Sequence, residues 1–255
     1  MQQQLLFILL TIFSSIIYAE SNSDAGPVST EILLAEESSS NSLAPEIIPF
    51  TANYTTEWKV GWFNIEIDAT RRLKKVSDKR WQILFEAAAG AAKLRETSEF
   101  TLSEQSRIQP LNYQYRASGL FNEDDRTLRF LPSSKAVLDQ EKSHTHQQVW
   151  QDEIQDNLTY MLQAGLDLAA GENSFEYPVF EKNKSKPFRF EVVGEETLIT
   201  KAGKLKTVKV KQVRKKKGRD IYAWFAVDKN YLLVRLLDKK NGKKRYEINV
   251  TDIQM

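Results

Sequence analysis

Two histidines, His144 and His146, are the entire imidazole complement of this 255-residue chain, and cysteine is absent. Residues two apart on an extended strand project to one face, so the pair offers two nitrogen ligands to a metal. A third ligand would have to come from Asp139 or Glu141, and their spacing does not single them out. Exposed polar residues on a short strand explain the pair equally well, and no metal site is expected. Carboxylate pairs are the next chemistry to weigh, because acids in unlike environments can divide acid and base roles. Asp124 and Asp125 lie in a turn-like Asn-Glu-Asp-Asp run, Asp152 and Asp156 stand where a helix begins, and Glu195 and Glu196 follow Gly194 at a bend. Each pair has a structural explanation. The chain carries no G-x-S-x-G elbow, phosphate-binding loop or dinucleotide fingerprint. No catalytic residue and no cofactor is therefore expected. A Ser-Lys dyad leaves a cryptic hydrolase as the minor alternative.

The densest chemistry is cationic: KVKQVRKKKGRD, residues 209–220, holds five Lys and two Arg. What such a run meets depends on compartment. The opening MQQQLLFILLTIFSSIIYAE is apolar over Leu5 to Tyr18, shorter than a membrane span, and closes on the small residue Ala19. It reads as a signal peptide over residues 1–19, although its first residues carry no Lys or Arg. The expected location is the periplasm, soluble after cleavage, and no Cys follows that could take a lipid. Residues 20–47 are Ser- and Glu-rich and read as a disordered spacer. Residues 48–255 remain as one domain, held by its core without disulfides. Six of the 34 acidic residues and none of the 36 basic ones lie within residues 1–50, so the domain has an excess of eight cations.

Apolar residues alternate through most of the domain, as a half-buried strand requires. Tyr54, Trp58, Val60 and Trp62 share one parity, whereas Phe63, Ile65, Ile67 and Ala69 continue on the other. A bulge near Gly61 is expected to absorb the switch. Alternation returns around Trp81–Ala89, Leu94–Leu102, Tyr113–Ala117, Leu128–Phe130, Phe175–Val179, Phe188–Val192, Val208–Val210, Ile221–Val227 and Tyr246–Val250. Ile253 is out of phase, so the last strand should end near Val250. Asn241-Gly242 is a strong hairpin signal. One segment differs: Ile154, Leu158, Met161, Leu162 and Leu166 keep helical spacing, with Asp152 and Gln155 placed as a capping box and Gly171 as a stop. Gly165 within it suggests close packing. The expected fold is mainly β: a strongly curved antiparallel sheet, or an open barrel or sandwich, with one central helix over about 152–170.

In order along the chain stand Tyr54…Trp58…Gly61, Pro110-Leu111-Asn112-Tyr113, Gln155-Asp156-Asn157-Leu158, Gly194-Glu195…Ala202-Gly203 and Trp224-Phe225-Ala226-Val227-Asp228…Tyr231-Leu232-Leu233-Val234-Arg235. Over roughly Tyr54 to Ile253 the chain resembles the exported bacterial family catalogued as domain of unknown function 3108. Leu233 stands where the family pattern leads one to expect Pro. The resemblance implies a periplasmic β-rich protein with no established activity. At the level of fold alone it is also similar to the curved-sheet lipoprotein carriers of the periplasm.

If the last strands form a meander, the turn bearing Arg214, Lys215, Lys216, Lys217 and Arg219 lies beside the turn bearing Lys239, Lys240, Lys243, Lys244 and Arg245, and Lys182–Lys186 falls at the same end. Three readings compete: solvated hairpin tips with Lys209 and Lys211 guarding an edge, docking to an anionic membrane surface, or contact with an acidic protein or glycan. Nucleic acid is not expected, because no recognition module or aromatic platform accompanies the charge. In 221–227 both parities are apolar, so both faces need cover. Trp58, Trp62, Tyr222 and Trp224 of the sheet, with Leu158 and Leu162 of the helix, are the expected lining of a pocket for a lipid or other apolar ligand. The leading expectation is a non-enzymatic binding or envelope-maintenance protein. The alternative is a structural or interaction module with a solid core.

Overall fold

Among the described residues, strand alternation becomes fourteen β-strands around one helix. The computed structural model describes residues 45–60, 63–119, 124–214 and 217–255; the segments expected to be a signal peptide and, for nearly all of its length, a spacer lie outside them. The first run of strands comprises β1 (Phe50–Val60), β2 (Phe63–Ser77), β3 (Arg80–Ala89), β4 (Ala92–Leu102), β5 (Ile108–Ser118), β6 (Arg126–Leu131), β7 (Ala136–Asp139) and β8 (His144–His146). Helix α1 (Thr159–Ala169) follows. The second run is β9 (Ser174–Glu181), β10 (Lys184–Thr200), β11 (Gly203–Val213), β12 (Arg219–Ala226), β13 (Leu232–Lys240) and β14 (Lys243–Gln254). Within each run every strand pairs antiparallel with its chain neighbour. β1 pairs with β14, which joins the two runs into one sheet ordered β8 to β1, then β14 to β9.

Three expectations change. The parity switch falls between two paired strands and not within one: Val60 lies opposite Phe63 and Trp58 opposite Ile65, while Gly61, where a bulge was expected, lies outside the described residues. In such a hairpin an even-numbered residue faces an odd-numbered partner, so both parities share one face without an inserted residue. The last strand runs beyond Val250 to Gln254. Tyr54 pairs with Val250 but Asn53 with Asp252, so the bulge at Thr251 returns Ile253 to the inner face opposite Ala52. The helix begins at Thr159, seven residues later than expected. Gln155 is occupied elsewhere: its N–H donates to Pro178 O at 2.8 Å and its carbonyl accepts from Phe180 N at 2.8 Å. Asp156 takes the capping role, its Oδ1 accepting from the N–H groups of Leu158 and Thr159 at 2.9 and 3.0 Å. The stop is where the sequence placed it: Gly171 has φ of +89°, and its N–H donates to Leu168 O at 3.0 Å.

The Gln155 link matters because β8 and β9 are sheet edges that do not pair. Phe180 on β9 reaches across the seam to Phe130 (6.2 Å between ring centroids) and His146 (5.5 Å), with the Arg126 guanidinium 5.6 Å over its ring. Side chains thus continue the curve that hydrogen bonds leave open. Inside it, α1 is buried on almost every side, including Thr159, Gln163 and Asp167. Buried polar groups need partners, and these have them. Gln163 accepts from Ile108 N at 2.8 Å, and Asp167 accepts from Arg107 at 2.7 Å and from the Tyr177 hydroxyl. Gly165 is required by proximity, since a Cβ there would lie 2.8 Å from Tyr231 O. The domain also starts earlier than residue 48. Pro45 O accepts from the Ser106 hydroxyl at 2.8 Å and Ile47 is buried, so residues 45–47 dock on the barrel.

Candidate functional site

Antiparallel registers fix where the lysine-bearing turns lie. Arg219 pairs with Lys240, and Asn241 N donates to Gly218 O at 2.7 Å, so the turn after β11 and the β13–β14 turn touch. Arg189 opposite Val213 and Lys184 opposite Glu181 bring the β9–β10 turn to the same end. Asn241 and Gly242, at φ of +50° and +76°, make the tight hairpin that their sequence signalled. This end of the barrel is the basic pole. Phe50, Leu232, Gln254 and the start of the described chain define the opposite, terminal pole, about 26 Å away along nine-residue β13.

The ten expected contact residues divide into different environments. Lys217, Lys240, Lys243 and Lys244 are exposed, Lys239 is half-buried, and Lys215 and Lys216 lie outside the described residues. Two like-charged pairs stand directly opposite one another, Lys239 with Lys244, which Glu247 relieves by accepting from Lys244 at 2.9 Å, and Lys240 with Lys243, an arrangement that costs stability. Arg219 and Arg245 turn inward instead. Both bind Asp238, which is fully buried, Arg219 through Nε at 3.0 Å and Nη2 at 2.7 Å, Arg245 through Nη1 at 3.0 Å. Burial works against the Arg219 charge, but the hydrogen bonds and charge of Asp238 outweigh it and raise the pKa above the ordinary guanidinium value. Arg214 is half-buried beside them and donates to Gln212 at 3.0 Å. Burial, with Arg219 adding to it, lowers its pKa.

Of the six residues expected to line an apolar pocket, the four whose side chains are described, Leu158, Leu162, Tyr222 and Trp224, are not brought together. Ile221, Ala223 and Phe225 face the interior, whereas Tyr222 and Trp224 stand on the outer face, opposite Lys211 and Lys209 of β11. Lys209 Nζ lies 4.9 Å from the Trp224 ring centroid and Arg235 Cζ 4.6 Å from it, and the indole N–H donates to Glu196. The Trp224 hydrogen bond, with Lys209 beside it, holds the Glu196 carboxyl below its usual range. The second apolar face of β12 is therefore covered by the aliphatic stems and charges of its neighbours, leaving Trp224 only 2% exposed. Trp58 is carried on β1, and Trp62 lies outside the described residues. Leu158 is fully buried.

Leu162 does line a cavity, at the terminal pole. It is shared with Ile48, Phe50, Leu166, Leu233 and Met255, has a volume of about 30 Å³, and holds Arg71 in its wall. Arg71 is 3% exposed, hydrogen-bonds Tyr54, and donates to Leu158 O at 3.4 Å. Its Nε has no partner, and no carboxylate among the described residues pairs with it. Burial lowers the Arg71 pKa and pushes the Tyr54 hydroxyl up to about 12. Sequence reasoning passed over Arg71, although it continues the inward parity of Ile67 and Ala69. A larger open cleft of about 560 Å³ lies toward the other pole between β2 and β5. Its charges are largely paired within it, Arg95 with Glu86 at 3.4 Å and Arg116 with Asp125 at 3.5 Å.

His144 and His146 share a face, their ring centroids 4.4 Å apart. The carboxylates weighed as a third ligand are engaged, Asp139 with Arg126 at 3.3 Å and Glu141 with Thr127 at 2.7 Å. Among the described residues no group of three His, Asp or Glu is placed to hold a metal ion. Burial lowers the His146 pKa from 6.5, as do His144, Arg126 and Lys142, against an opposing pull from Asp139. The unfolded chain therefore binds this proton more readily, and the seam should lose stability as pH falls from about 6.5. His146→Gln should flatten that part of a stability-versus-pH curve measured by urea unfolding. An unchanged curve would place the titration elsewhere.

The model of a family described as "Protein of unknown function (DUF3108)" matches residues 50–249. No match was found among curated proteins. Among solved structures, the fold is similar to a β-barrel-like protein of domain of unknown function DUF1849 from Brucella abortus, with a TM-score of 0.55 and 8% identity, over 83% of this chain and 99% of that one.

Proposed function

The chain belongs to the DUF3108 family, and we propose that it is an exported, non-enzymatic binding protein of the cell envelope. In this reading the basic pole docks on an anionic lipid surface, and an apolar ligand enters between sheet and helix at the terminal pole. The observation that carries docking is the pair of opposed lysine couples on the β13–β14 hairpin, next to the turn after β11. Solubility alone does not need like charges stacked across a ladder, where they repel; an anionic surface turns that repulsion into attraction, at about 1 kcal/mol per cation.

The test uses two readouts that should move in opposite senses. Lys240→Gln with Lys243→Gln should lower partitioning onto phosphatidylglycerol-containing vesicles about thirtyfold at low salt, as the loss of two such contributions requires. The same change should leave stability equal or higher by a few tenths of a kcal/mol, because a repulsive pair is removed. Flotation that does not respond at low salt would reject the docking surface. A second reading, a solid-core module whose lysines meet an acidic protein, is favoured by the small volume of the cavity beside α1. It predicts no vesicle binding by the unmodified chain.

A further inference from the structure

We propose that Arg71 receives the carboxylate of a single-chain fatty acid whose tail leaves along the groove between α1 and the terminal ends of β1, β13 and β14. The assignment rests on the terminal-pole pocket as the ligand site. Its first support is the state of Arg71 itself. A guanidinium carries five N–H donors and cannot shed its charge in a protein, so burying one without a counter-ion is costly. Arg71 is 3% exposed, and the partners on the page are a tyrosine hydroxyl and one long bond to a backbone carbonyl. Its Nε is buried and unpartnered. Two less buried arginines, Arg219 and Arg126, whose side chains are 14% and 22% exposed, each have a fully buried aspartate within 3.3 Å. Arg71 alone among these three lacks an anion and borders a cavity.

The second support is the shape and lining of that cavity. Its volume of about 30 Å³ suits a group of a few atoms, and a two-chain phospholipid headgroup would not fit. Beyond Arg71 the wall is mostly aliphatic or aromatic, with Leu73 and Met161 deep and Ile48 and Met255 outermost. Ile48 and Met255 are 39% and 53% exposed, so the groove opens to solvent between apolar side chains. A planar carboxylate engages Nε and one Nη of a guanidinium in two parallel bonds, and a hydrocarbon chain suits the remaining wall. Lys229 and Asn230 also border the cavity, but both are less buried than Arg71, and a deep charged anchor in a mostly apolar slot is the pattern of a site that fixes the head and tolerates the tail.

The experiment titrates the full chain with carboxyl-¹³C palmitate and, in parallel, with hexadecanol, which has the same tail and no charge. Palmitate should bind at least tenfold more tightly, and its carboxyl resonance should titrate at lower pH than free fatty acid does. Arg71→Met should abolish both the preference and the shift, while Arg71→Lys keeps part of each. Equal affinity for the two ligands, or an unshifted carboxyl titration, would overturn the role of Arg71 and leave the apolar pocket standing. Binding of neither would overturn the pocket reading and this assignment together. Should Arg71→Met fail to fold, the palmitate–hexadecanol comparison on the unmodified chain decides the question.

Discussion

Asp238→Ala should lower the melting temperature of this protein by about 6–20 °C. Asp238 is fully buried and accepts hydrogen bonds from Arg219 and Arg245, strands β12, β13 and β14 each supplying one member of the triad. Removing one partner of a buried ion pair costs about 3–5 kcal/mol, because it strands uncompensated charge where water cannot repay it. In a domain of about 200 residues each kcal/mol moves the midpoint by about 2–4 °C. The pKa of Arg219, raised against the effect of burial, has the same origin and points the same way. Asp238→Asn should cost less, since the amide oxygen still accepts one bond. Thermal unfolding followed by circular dichroism measures both. A loss under 1 kcal/mol for Asp238→Ala would mean that water or Tyr246 replaces the carboxylate. Because Arg219 and Arg245 are committed to this triad, replacing either by Gln should destabilise the fold and change vesicle partitioning far less than Lys240→Gln with Lys243→Gln.

That contrast marks where sequence reasoning reached and where it stopped. The meander was legible because alternation and the Asn241-Gly242 turn are local signals, and local signals suffice to bring successive hairpin tips to common ends. Which cations at the tips are free was not legible. Arg219 and Lys240 are cross-strand partners of one parity; what separates them is that the Arg219 guanidinium reaches the buried Asp238, whereas Lys240 is exposed at the hairpin tip, and no local pattern announces that ion pair. The helix start was misplaced for a similar reason: Asp152-x-x-Gln155 and Asp156-x-x-Thr159 are both plausible caps, and only pairing of Gln155 with β9 decides between them. Arg71 carried a readable sign, since Ile67, Ala69, Arg71 and Leu73 share one parity. A charged residue at an inward position is the kind of local conflict that a folding sequence normally avoids and a binding site has reason to keep.

The aromatic pair of β12 gives the second large effect. Trp224→Ala should destabilise the protein by about 3–5 kcal/mol, the usual range for deleting a buried indole. It removes the surface on which Lys209 and Arg235 rest and the donor that Glu196 accepts. Trp224→Phe keeps a ring under both cations but loses the N–H, so about 1 kcal/mol should go with the hydrogen bond and somewhat more with the weaker cation–π contact. Urea unfolding of the two variants separates these contributions. The same variants discriminate between two locations for a ligand. If Trp224 lined the binding pocket, Trp224→Phe would change affinity for palmitate. The geometry places it on the face of the sheet turned away from α1, while Leu162 and Arg71 border the terminal cavity. Trp224→Phe should therefore lower stability and leave palmitate affinity where it was, whereas enlarging Leu162 to Phe should do the reverse, blocking the groove at little cost to the fold. Loss of ligand on Trp224→Phe would move the pocket to the outer face and leave the buried, unpaired charge of Arg71 without the role assigned to it.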